Sequence, residues 1–205
     1  KKLFAMVHPE LMPDPETMSP VELMEAKRHE AVFDYALAVT SNGTPVIDNA
    51  KYAIQAYRSW VDTGKFEVRG YGDKVDPMKK AFEFYNAMID RYQGNTVGIA
   101  EFLDEKLTVR EIKDNEFIKQ LEEDYGLKLT KKLSQETMDT EVSISALMGA
   151  KIGNGFYQNL RGNYKSLTMD RWWQRFYNRV TGNPYYRTQD KTKIKVYNQF
   201  LEQLK

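Results

Sequence analysis

The stretch MGAKIGNGFYQNLRGNYKSLTMDRWWQR, residues 148–175, decides how this chain is read. A glycine-punctuated turn opens it at Gly149 and leads into a short helix expected to end near Leu160. A polar loop runs from Arg161 to Leu167. Thr168 then has the character of an N-cap, which puts Asp170 in the first turn of another helix. Lys151 stands at the start of one helix and Asp170 at the start of the next. Both sit beside glycines or caps, where backbone N–H groups are free. Helix N-termini are ready anion sites, so phosphate is a natural ligand for the stretch.

Working outward, the rest of the chain reads as almost wholly helical. Residues 1–18 carry Pro9, Pro13 and Pro15 without hydrophobic period and read as an extended arm. Ser19-Pro20-Val21-Glu22 is a capping box with proline at the first helical position. Val21, Met24, Val32, Tyr35 and Val39 extend its stripe to about Thr40. Thr44-Pro45 starts a second helix with Ile47, Ala50, Ile54, Tyr57 and Val61 as its expected buried face and Gly64 just past its end. A loop with a short extended piece at Phe66-Glu67-Val68 precedes a third helix opened by Asp76-Pro77, with Ala81, Phe82, Tyr85, Met88, Ile89 and Tyr92 inward. Thr96 to Leu103 makes a short helix, and Thr108-Val109-Arg110-Glu111 is a second capping box for a segment that stops at Gly126. Leu127 to Lys132 is a basic, partly apolar connector. Ser134 to Met148 reads as the helix that feeds the glycine turn, with Met138, Val142, Ser145 and Ala146 or Leu147 inward. Helices over Met169–Val180 and Lys191–Leu204 close the chain.

Composition narrows the chemistry. Hydrophobic content of 41% with 13% aromatics belongs to a folded chain. Zero cysteines exclude disulfides, thiolate nucleophiles, iron–sulfur clusters and cysteine-ligated zinc. His8 and His29 are too few and too far apart for the usual histidine-based metal or triad chemistry. Neither a membrane span nor a signal peptide is visible, and the start at Lys1 raises the expectation of a larger parent polypeptide. The net charge of +1 hides a division. Residues 150–205 hold eleven Lys or Arg against three acids, a net of +8, while residues 1–149 hold the other 19 bases and 26 acids, a net of −7. A basic segment that begins at the glycine turn is the footprint of a phosphate-backbone partner, although solvated helix faces give the same count. Residues 171–179, RWWQRFYNR, interleave cations with flat rings, a pattern that stacks bases and clamps phosphates.

Gly149-Ala150-Lys151, Asn154, and an aspartate 19 residues after the lysine together resemble the helix-hairpin-helix DNA glycosylases, the superfamily of endonuclease III and the adenine glycosylases. The resemblance is local to residues 145–175. Leu147 stands where that hairpin usually has its first glycine, and Arg171 and Trp172 follow the aspartate where a small residue and a histidine are usual. The weak strand signal makes the fold expectation an all-α, multi-helix bundle, and the resemblance adds a helix-hairpin-helix-like element in the C-terminal third. Residues 19–205 are expected to form one helical domain, acidic over 19–133 and basic over 134–205. It further implies DNA as partner and a glycosylase with abasic-site lyase activity that needs neither metal nor cofactor. Asp170 would stabilise the oxocarbenium-like sugar or deprotonate the attacking group. Lys151 would attack C1′ and form a Schiff base. Gly149, Gly153, Asn154, Arg161, Lys165, Arg171, Trp172, Arg175 and Arg179 would hold the DNA while the target nucleotide is turned out of the stack.

Each of these residues has a plainer account. Asp170 is also what a helix dipole alone selects, for about 0.3–1 kcal/mol. Lys151 can be a solvated lysine, and Gly149, Gly153 and Gly155 can be close-packing glycines. Glu136, Asp139 and Glu141 can be an exposed acidic face. The competing expectations are therefore a non-catalytic nucleic-acid-binding hairpin, or a protein-interaction module of a phage, mobile-element or secreted multidomain protein.

Overall fold

Ser19 and Glu22 open helix α1 (Pro20–Thr40) as a capping box: Ser19 Oγ accepts the Glu22 N–H at 3.3 Å, and the Glu22 carboxylate accepts the Ser19 N–H at 2.9 Å. The structure is a computed structural model and describes residues 18–72, 75–133, 137–165 and 180. The chain divides into two units, Lys1–Thr168 and Met169–Lys205, and every described residue except Val180 belongs to the first. That first unit is mostly helical, so the all-α expectation holds.

From Ala31 to Thr40 every residue of α1 except Leu37 is buried. A helix enclosed on all sides is a core element, and α2 (Val46–Thr63), α3 (Val75–Arg91), α4 (Thr96–Asp104) and the 152–157 segment pack around it. Tyr35 is the hub. Its ring lies 4.2 Å from Tyr85, Phe66 joins Tyr85 at 5.2 Å and Phe82 at 4.9 Å, and the Tyr35 hydroxyl donates to the Ala81 carbonyl at 2.6 Å. The first half of α1 does not share this burial: Val21 and Met24 are exposed, contrary to the expected stripe.

Helix α2 is rotated from the face its apolar residues suggest. Asn49, Ala53, Ala56, Tyr57 and Trp60 are buried, whereas Ile47 and Val61 are exposed. A polar pair sets the rotation, because the Thr40 hydroxyl is shared between Ala36 O at 2.8 Å and Asn49 Oδ1 at 2.6 Å inside the α1–α2 corner. Small residues at positions 53 and 56 then let the helices approach. Gly64 ends α2 in the left-handed conformation, at φ 77°, as expected. The following loop is held without a strand: the Asn86 side chain bonds both the N–H and the C=O of Phe66, at 2.9 and 2.8 Å.

After α4 the chain makes strand β1 (Lys106–Thr108), then α5 (Val109–Asp114) and α6 (Glu116–Tyr125). Thr108 and Glu111 form the second capping box, and Gly126 closes α6 at φ 64°. The expected helix from Ser134 to Met148 is replaced among the described residues by a turn, strand β2 (Glu141–Ser143) and a 3₁₀ segment, Ile144–Met148. Strand β2 pairs antiparallel with β1, Leu107 opposite Val142. That partner lies some 35 residues upstream, where a helical reading of local period cannot find it.

Candidate functional site

The glycine turn joins two short helical arms. The 3₁₀ segment Ile144–Met148 arrives from β2, Gly149 turns the chain at φ 112° and ψ 143°, and a π-helical segment (Ile152–Tyr157) continues into α7 (Gln158–Leu160). A positive φ of that kind is open to glycine and strained for other residues. The arms touch backbone to backbone: a β-carbon on Gly153 would stand 1.6 Å from the Ser145 carbonyl oxygen. Ser145 Oγ donates to the Gly153 carbonyl at 3.0 Å, and Asn154 Oδ1 accepts the Ser143 N–H at 2.9 Å. Gly153 and Asn154 are therefore used in closing the hairpin and fastening it to β2.

Arg161 is also engaged inside the protein. Its Nε donates to Asp104 Oδ2 at 3.2 Å, and its Nη1 lies 3.9 Å from Asp34 Oδ2. Gln158 Nε2 bridges Asp104 Oδ1 at 3.0 Å and Ser145 Oγ at 3.1 Å, so the network ties α1, α4 and both hairpin arms together. Burial works against the guanidinium charge, but Tyr157, Asp104 and Asp34 outweigh it and hold its pKa above the ordinary value. Nothing in the sequence marks Asp34 or Asp104 as its partners, since they lie 127 and 57 positions away. Arg161→Ala is expected to cost about 2 kcal/mol in a urea titration, because it removes the charged hydrogen bond to Asp104 and the cation beside Asp34. A loss near zero, with a shallower salt dependence of duplex binding, would return Arg161 to the DNA-contact role.

What remains exposed at the turn is a cation. Lys151 is exposed and in no ion pair among the described residues, and Lys165 is exposed in the following loop beside exposed Tyr164. Gly149 is half-buried at the turn itself. Asp170, Arg171, Trp172, Arg175 and Arg179 lie outside the described residues, as does the expected Thr168 cap. Of the acidic group proposed before the hairpin, Asp139 pairs with Arg110 at 3.0 Å. Among the described residues, no group of three or more His, Cys, Asp or Glu could hold a metal ion, and no helix is long and apolar enough to cross a membrane.

No protein-family model matches the chain, and neither a curated protein nor a solved structure matches it.

Proposed function

We propose that this chain is a DNA-binding helical domain that sets the hairpin turn Gly149–Lys151 on the phosphodiester backbone of a duplex. The observation that carries the reading is Lys151: an exposed cation, in no ion pair among the described residues, at the tip of a hairpin fixed by the Gly153–Ser145 contact and the Asn154–Ser143 bond. A lysine so placed meets a phosphate without a backbone-ordering cost, since its backbone is already held. The net charge of +8 over residues 150–205 supports the same partner.

The chemistry that extends this reading is base removal followed by strand cleavage. The 19-residue spacing from Lys151 to Asp170 favours it, and the Lys151 amine is not neutralised by a carboxylate partner among the described residues. Lys151 would add to C1′ as the base leaves with its bonding pair, giving a Schiff base after ring opening, and Asp170 would stabilise the cationic sugar. No metal enters.

Duplex affinity across a salt series is the first measurement, with a log–log slope of about −0.9 expected per phosphate contact. Lys151→Ala should reduce that slope by about 1. Binding that is absent at low salt, or indifferent to salt, overturns the DNA reading and leaves a protein-interaction module. For the chemistry, borohydride should trap the wild type on a damaged duplex but not Lys151→Ala. Asp170→Asn should bind DNA as well as the wild type and release no base. A wild type that leaves no alkali-labile sites on damaged, mismatched, undamaged or single-stranded substrates is a binding module only.

A further inference from the structure

A second set of unpaired cations lies on the first unit, away from the tip of the turn. The connector 127–132 borders two concavities. One, of about 280 Å³, is lined by Lys80, Glu83 and Lys128 and walled on one side by Leu147 and Met148 of the hairpin. The other, of about 510 Å³, is lined by Lys113, Glu122, Lys128 and Lys131. Leu127 and Lys128 line both, so the two form one furrow.

The charge balance of the furrow is set by which side chains are already engaged. Among the described residues none of Lys80, Lys113, Lys128 and Lys131 is in an ion pair, whereas Lys51, Lys65 and Lys119 are paired with Asp48, Asp90 and Glu116. Glu122 is turned onto the connector, where it accepts the Thr130 N–H at 2.9 Å and the Thr130 hydroxyl at 3.1 Å. Glu83 is then the one lining carboxylate without such an engagement. Four lysines against two carboxylates, Glu83 and Glu122, over an apolar floor of Phe84, Leu127 and Leu129 give the furrow a net positive lining, on the part of the chain that is acidic in sum.

We propose that this furrow is a second nucleic-acid contact, which takes the sugar-phosphate backbone as it leaves the hairpin. The inference rests on the DNA reading above and adds to it a track of four phosphate ligands. The cations are spread along two joined concavities instead of converging on one point, which suits a polymer of regularly spaced charges better than a single small anion. Leu147 and Met148, which line the furrow, stand four and three positions before Lys151 in the chain.

The test uses the full chain and a labelled duplex of about 20 base pairs, titrated across a salt series. Lys80→Gln/Lys128→Gln/Lys131→Gln changes exposed side chains only, so the fold should survive, and adding Lys113→Gln completes the set. The triple variant should lose about 2.7 from the log–log salt slope and the quadruple variant about 3.6. Unchanged melting temperatures would assign those losses to binding. A wild type that binds with a salt slope the variants share overturns the furrow and leaves the hairpin reading standing. A wild type without salt-dependent binding overturns both. If a poly-glutamate peptide binds the wild type and not the variants while duplex affinity is unchanged, the furrow belongs to an acidic protein partner and the proposal falls.

Discussion

Gly153→Ala is expected to cost about 4 kcal/mol and to open the hairpin. The added β-carbon would stand 1.6 Å from the Ser145 oxygen, 2.4 Å from its carbonyl carbon and 3.0 Å from the Ala146 nitrogen. All three are backbone atoms of the opposite arm, so no rotamer change relieves the overlap. Separating the arms breaks the Ser145–Gly153 bond and, through Ser145, the link to Gln158, Asp104 and Arg161. Gly149→Ala is the control. Its β-carbon would meet nothing within 4 Å, and only the φ of 112° opposes it, for about 1 kcal/mol. Urea titration of the two variants separates contact from backbone strain. Equal losses, or a Gly153→Ala loss below about 1 kcal/mol, would mean the arms are not in backbone contact. Duplex binding should fall with Gly153→Ala wherever the turn is the docking element.

The contrast between those two glycines shows what the sequence carries and what it does not. Local signals were legible. Ser19–Glu22 and Thr108–Glu111 cap the helices they announce, Gly64 and Gly126 end helices in the left-handed conformation, and Ala81 to Ile89 face the core at helical spacing. These features depend on bonds or contacts within a few residues. Two of the misreadings turn on partners outside the local window. Glu141–Ser143 is a strand because Lys106–Thr108 is there to pair with it. Helix α2 presents Asn49 inward because Thr40 receives it, and it leaves Ile47 outside. At the candidate site the same division holds. A glycine turn followed by a lysine is visible in one line of sequence, and Lys151 is exposed there. That Gly153 meets Ser145, Asn154 meets Ser143 and Arg161 meets Asp34 and Asp104 depends on the fold, and it gives three candidate DNA ligands structural work.

The remaining prediction is that the first unit loses stability steeply above about pH 10, at about 4 kcal/mol per pH unit from three phenols together. Tyr35, Tyr85 and Tyr157 are fully enclosed, and burial raises the pKa of each above the ordinary phenol value; Tyr85 adds to the rise at Tyr35 and Asp104 to that at Tyr157. The sign follows from proton binding. Between the unfolded pKa of about 10 and the raised folded values, the unfolded chain has released these protons and the folded chain retains them, so stability falls as pH rises. Below about pH 10 both states are protonated and the contribution is fully present. Phenylalanine substitutions divide the effect residue by residue. Each of Tyr35→Phe, Tyr85→Phe and Tyr157→Phe should remove about one third of the slope, or about 1.4 kcal/mol per pH unit. They should differ at neutral pH. Tyr35 donates to the Ala81 carbonyl, so its loss costs about 1 kcal/mol, whereas the Tyr85 and Tyr157 hydroxyls are buried without a partner among the described residues, and removing either should stabilise by up to about 1 kcal/mol. Urea titrations at intervals from neutral pH to beyond pH 10 measure both quantities. A wild-type curve that stays flat through about pH 11 would contradict the enclosure of these rings. A Tyr157→Phe variant less stable than the wild type at neutral pH would show that its hydroxyl has a partner in solution.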